Sequence, residues 1–123
     1  MNETPAKIQV IDNADQCRYE VSIGDRLAGF AKYRRRGDRV VFIHTEIGKE
    51  FAGKGLGGVL ARHAVEDANA QGLTIVPVCP FIAAWLRNHP EARKRVDWEA
   101  ARALTAGMRT GTVNASADGS ERE

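Results

Sequence analysis

Residues 43–68 read IHTEIGKEFAGKGLGGVLARHAVEDA. A strand-like run ends here, four glycines (Gly53, Gly55, Gly57 and Gly58) crowd together, and an amphipathic helix begins. Leu56, Val59, Leu60, His63, Ala64 and Ala68 repeat at helical spacing and predict its buried stripe. Arg62 and Glu66 sit four apart on the outer side, where they pair weakly. Glycines let a backbone approach a ligand closely. A helix start adds N–H groups and partial positive charge. The turn is therefore a candidate anion site.

The flanks supply the context. Ile8 to Ile11 reads as a first strand, and Tyr19–Ile23 alternates apolar with polar residues as a half-buried strand does. Leu27 to Arg34 predicts another strand, with turns at Gly24–Asp25 and Arg36–Gly37–Asp38. Val40, Val41, Phe42 and Ile43 are apolar throughout, which predicts an interior strand buried on both faces. Beyond the helix, Gly72 is a stop signal and Leu73 to Val78 a further strand. A strand–helix–strand unit with a short crossover implies parallel pairing. Pro77 cannot donate to a ladder, so this strand is expected to be unpaired on one side. Pro80 opens a second helix with a stripe of Phe81, Ile82, Trp85 and Leu86, ended by His89–Pro90. Asp97 is placed to cap a last helix, Trp98 to Ala106. The expected class is α/β with a mixed sheet: an antiparallel meander, then a β-α-β unit. Residues 8–107 are expected to form one domain and 108–123, rich in Gly, Ser, Thr, Asn and charge, a disordered tail.

Composition narrows the function. A chain of 123 residues, 43% hydrophobic and 28% charged, fits one ordinary soluble domain. No apolar run reaches the roughly 20 residues of a membrane span, and MNETPAKIQV lacks the features of a signal peptide. The expectation is a cytoplasmic protein with no membrane partner. The net charge of +2 is nearly balanced, and Arg34–Arg35–Arg36 reads as a solvated hairpin turn rather than a nucleic-acid patch. No nucleic-acid partner is expected. Cys17 and Cys79 lack CxxC spacing, and with three histidines and no Cys/His cluster no metal site is expected.

Three phosphate motifs compete for the glycine turn. Gly48 to Lys54 matches GxxxxGK, but Gly55 stands where a P-loop needs Ser or Thr to hold magnesium. Gly53, Gly55 and Gly58 satisfy GxGxxG, but the acidic residue expected about 20 positions later is missing; the strand there reads Val76-Pro77-Val78-Cys79. A meander before the turn also contradicts a dinucleotide fold. The third motif continues beyond the turn. Ala52-Gly53-Lys54-Gly55-Leu56-Gly57 resembles the (Arg/Gln)-x-x-Gly-x-(Gly/Ala) turn of the GNAT acetyltransferases. His44-Thr45-Glu46, Val78-Cys79-Pro80-Phe81 and Asn88-His89-Pro90 extend the likeness to the minimal, single-domain subfamily often called YjdJ-type. The specific motifs cover 42–91, and the match is looser over 19–41.

That resemblance implies the acyl-CoA N-acyltransferase fold with splayed parallel strands, acetyl-CoA as cofactor and transfer to a primary amine; a small domain with few loops leaves an open cleft, which suits a protein lysine or a small amine such as a polyamine. Gly53, Lys54, Gly55, Leu56, Gly57 and Gly58 would then hold the pyrophosphate. Thr45, Glu46 and Ile47 would pair through their backbone with the pantetheine arm, which Asn88 could also reach. The thioester would lie near Cys79. Glu46 is the candidate base, with His44 acting directly or through water. Cys79, before a helix N-terminus, is either a nucleophile or a small buried residue. Ala52 departs from the pattern, as does Trp85, which stands where a tyrosine acid is common and cannot deliver a proton. A non-catalytic acyl-CoA-binding module therefore stays open. A monomer or weak homodimer is expected.

Overall fold

The computed structural model describes residues 7–110. Five strands form one sheet in the order β1 (Ile8–Asn13), β2 (Arg18–Ile23), β3 (Arg26–Arg36), β4 (Arg39–Ile47) and β5 (Thr74–Pro77). The first four make an antiparallel meander, and β4 pairs with β5 in parallel. Helix α1 (Leu56–Ala70) crosses between β4 and β5; α2 (Pro80–Asn88) and α3 (Trp98–Thr110) follow. This is the expected α/β class. Helix α3 runs four residues beyond the expected end at Ala106, so residues 108–110 are helical rather than tail. The tail expected over 111–123 lies outside the described residues.

Helix α1 lies on the face of the sheet that carries Tyr19, Val21, Ala31, Tyr33, Val40 and Phe42, and α2 packs beside it in the same core. The buried residues of α1 are Leu56, Leu60, Ala61, Ala64, Val65 and Ala68. The expected stripe is corrected at two positions: Val59 and His63 are exposed, and Ala61 and Val65 take their place. Three alanines let the helix lie close to the sheet, so the inward face is set by small size as much as by hydropathy. Gly72, at φ +74°, turns the chain out of α1, and Leu73 N–H returns to Ala68 carbonyl at 3.0 Å.

The interior strand also differs from expectation. Val40 and Phe42 are buried, but Val41 and Ile43 are only half-buried. The helices α1 and α2 cover one face of the sheet, and α3 packs against β5 rather than across the other face. Pro77 ends the outermost strand in the ladder. Beyond it the chain leaves the sheet, and the last link to β4 is Cys79 N–H to Phe42 carbonyl at 2.8 Å. On its other edge β5 makes, among the described residues, a single bridge, Ile75 to Val96.

Two tyrosines make long-range side-chain ties, one from the sheet to α1 and one across the sheet itself. Tyr19 donates to the Asp67 carboxylate of α1 at 2.6 Å, and Tyr33 to Asp12 of β1 at 2.6 Å. Burial and then the hydrogen-bonded carboxylate push both phenols well above their ordinary range. The unfolded chain loses these protons near pH 10, while the folded protein keeps them. Their contribution is complete below that pH and falls away above it. The unfolding midpoint is expected to drop as pH rises above about 10. Denaturant titrations of a Tyr19→Phe/Tyr33→Phe variant should show a flatter alkaline limb.

Candidate functional site

The site begins where β4 outlasts β5. The parallel pairing stops at Phe42 and Pro77, while β4 continues to Ile47. A bulge at Ile43 decides what the free stretch offers: Tyr33 pairs with Phe42 and Lys32 with His44, leaving Ile43 as the extra residue. Gly48 N–H donates to Ala28 carbonyl of β3 at 2.8 Å. Backbone groups two residues apart on an extended strand face the same side. His44 and Glu46 therefore turn their backbones to β3, and Thr45 and Ile47 present theirs to the side β5 has left.

The turn that follows is anchored before it becomes glycine-rich. Lys49–Phe51 forms a short 3-10 turn with Phe51 buried, and the Arg26 guanidinium lies over the Phe51 ring at 5.0 Å. Gly53 (φ +82°) and Gly55 (φ +75°) adopt left-handed backbone that side chains other than glycine disfavour. Gly55 is the N-cap of α1 and supplies no side-chain cap. Among the described residues, Gly53, Lys54 and Gly55 donate no backbone hydrogen bond to a turn or loop carbonyl. Leu56, Gly57 and Gly58 form a first helical turn, whose N–H groups have no carbonyl one turn back. The first such bond is Val59 to Gly55 at 3.2 Å. Among the described residues, a Cβ at Gly53, Gly55 or Gly58 would meet nothing within 4 Å beyond its chain neighbours and the backbone of its own helix. The loop is thus uncapped and sterically open, as an anion cradle requires, and exposed Lys54 adds a cation.

Gly57 has a different reason. A Cβ there would lie 2.8 Å from the Phe81 ring. Phe81, 42% exposed, rests against the start of α1 at the mouth of the site. The sequence reading placed Phe81 in a buried stripe and missed this contact; a glycine inside a helix is the signal that could have found it.

Thr45 and Cys79, 34 residues apart, are brought together: Thr45 Oγ1 and Cys79 Sγ are 3.3 Å apart, at the fork between β4 and β5. Cys79 is the N-cap of α2 and only 2% exposed. Thr45 pairs with buried Ala31 and so shares the helix-covered face. His44 and Glu46 project from the opposite face, with His44 Nε2 3.2 Å from Glu46 Oε1. Both side chains are more than half exposed, and the Phe30 ring stands edge-on to His44 at 6.2 Å. Arg18 lies over Phe30 at 4.7 Å and bonds Glu20 at 2.7 Å, which holds the Glu20 carboxyl below its ordinary range.

The end of α2 does not reach the turn. Phe81 contacts Gly57, and Trp85, one turn on, has the Arg62 guanidinium 5.1 Å from its ring centre. Helix α2 therefore runs along α1, and Asn88 lies roughly 10 Å further along the axis than Phe81. Trp85 packs in the core and stacks on His89 at 3.9 Å. Arg87 lies over Trp98 at 5.2 Å, on the wall of a cavity of about 460 Å³ between α2 and α3. No group of three or more metal-ligating side chains occurs among the described residues.

No curated protein matches the chain. Residues 18–96 match the family described as GCN5-related N-acetyl-transferase. That span runs from the start of β2 to the β5 bridge and takes in the fork, the glycine turn and the His44–Glu46 pair. The chain belongs to the GCN5-related N-acetyltransferase family, whose members are acyltransferases.

Proposed function

We propose that the protein is an acetyl-CoA-dependent N-acetyltransferase of the minimal YjdJ-type group, acting on a primary amine. The observation that carries this reading is the pairing of an uncapped glycine turn with a strand edge that β5 vacates, at the two ends of one continuous segment, 43–58. The amides of 53–58 and Lys54 hold the diphosphate without a metal ion. The exposed backbone groups of Thr45 and Ile47 pair with the pantetheine amides as a neighbouring strand would. Acetyl-CoA supplies the activated acyl group.

The remaining work belongs to side chains. Glu46 Oε1 takes the proton from an incoming ammonium, and His44 Nε2, at hydrogen-bond distance, shares the charge. The pair is exposed, so an amine on a protein lysine or a small molecule has access to it. Cys79 acts as a packed wall of the fork, donating to or accepting from Thr45. Transfer is therefore direct, with no acyl-cysteine.

Purified protein incubated with acetyl-CoA and a panel of amines, following free thiol, tests both points. Turnover is expected, and Cys79→Ala should keep it within a few-fold. Loss of turnover in that variant with acetyl-CoA binding intact would assign Cys79 a covalent role. Thermal stabilisation by acetyl-CoA with no thiol release on any amine would favour a sensing or scaffolding module, which the absence of a hydroxyl at Trp85 also fits.

A further inference from the structure

Helix α2 has a flank turned away from the glycine turn. Phe81 rests on Gly57 at the start of α1. Ala83 follows two residues later, roughly 200° further around the helix axis, and so projects to the far side. Arg87, one turn after Ala83, shares its flank. That flank faces α3 across the cavity of about 460 Å³, whose buried floor is Pro77, Ala83 and Ala101. Trp98 and Arg102, one turn apart on α3, form the opposite wall.

Two guanidinium groups stand at the mouth. Arg87 and Arg102 both line the cavity, and both are exposed. Arg87 lies over the Trp98 ring, 5.2 Å from its centre, and cation–π attraction holds it on the wall. None of the described residues lining the cavity is acidic. Of the carboxylates in the adjoining segments, Glu91 bonds Arg62, and Asp97 is held by Arg39 and by Ala100 N–H. Glu99, exposed and three residues before Arg102, pairs with neither guanidinium among the described residues.

We infer that this cavity is a binding site for a small organic anion with a flat apolar body, of the aryl carboxylate class. Its volume falls in the range of about 300–1,000 Å³ typical of small-molecule sites. The proline and alanine floor and the indole wall offer apolar contact to a ring. The two guanidinium groups offer planar, paired hydrogen bonds to a carboxylate. The ring would point inward and the charge outward, so the anion keeps its contact with water and avoids the cost of full burial. Pro77 lies two residues before Cys79, so the cavity adjoins the fork without drawing a side chain from the glycine turn. Its occupancy does not depend on acetyl transfer.

Calorimetric titration of the full chain with 2-naphthoate tests this. Saturable binding is expected, with a Kd of about 1 mM or tighter. The neutral analogue 2-naphthamide should bind about tenfold more weakly or worse, and 2-naphthylmethylammonium more weakly still. The Arg87→Gln/Arg102→Gln variant should lose about tenfold or more in naphthoate affinity. Both side chains are exposed, so its unfolding midpoint and its response to acetyl-CoA should match the parent. Saturating coenzyme A should leave naphthoate binding in place. The inference is overturned by absence of saturable binding up to about 10 mM, by equal affinity for the amide or the ammonium, or by unchanged affinity in the double variant. Displacement of naphthoate by coenzyme A overturns it too.

Discussion

Gly55→Asp is expected to abolish coenzyme binding while leaving the fold nearly as stable as before. The two effects separate because of what surrounds Gly55. Its φ of +75° makes any side chain costly, about 1 kcal/mol for a residue as tolerant as aspartate. Among the described residues, no atom beyond its two chain neighbours stands within 4 Å of the added Cβ, so no clash is added. An acidic group at a helix N-terminus returns about 0.3–1 kcal/mol. The stability terms nearly cancel. Binding has no such compensation, because the new carboxylate occupies the field of the N–H groups that would receive the diphosphate and repels it. Calorimetry should show affinity for acetyl-CoA reduced at least 100-fold with an unchanged apo melting temperature. Affinity within threefold of the parent would mean that the turn does not hold the diphosphate. Gly55→Asn provides the uncharged comparison and should retain part of the binding.

The second large effect is on stability. Phe42 is wholly buried in β4, with ring centres 6.2 Å from Tyr19 and 6.4 Å from Tyr33. Phe42→Ala removes the ring from the middle of the core and leaves a cavity that a β-sheet cannot close by shifting one residue. Such truncations cost about 3–5 kcal/mol, against a total of about 5–15 kcal/mol for a small domain. Urea titration should show that loss at nearly unchanged m, and a cost below about 1.5 kcal/mol would contradict the packing described. The carbonyl of the same residue accepts from Cys79 N–H and is untouched by the substitution. The fork should therefore survive in whatever fraction stays folded.

The strands were legible because their patterns are local. Alternation at Tyr19 and Val21 gave β2, and an unbroken apolar run gave an interior strand. The run could not reveal that Val41 and Ile43 face an uncovered side, since that depends on where α3 comes to rest. The phase of α1 was misread for a related reason: hydropathy favours Val59 over Ala61, while close packing favours the alanine. At the site, left-handed glycines belong to local backbone, and the turn could be read directly. The meeting of Thr45 with Cys79 arises from the parallel crossover, and only family likeness pointed to it.

Asp97 has a consequence for how the C-terminal helix stays attached. One carboxylate oxygen accepts from Ala100 N–H at 2.9 Å to start α3, and the other is held by Arg39 of β4. The amide and the guanidinium keep this acid ionised well below its ordinary range. A single side chain is thus both rivet and starter for the last helix. Acid strong enough to protonate it releases both grips at once, so the helix would peel from the sheet as a unit rather than fray residue by residue.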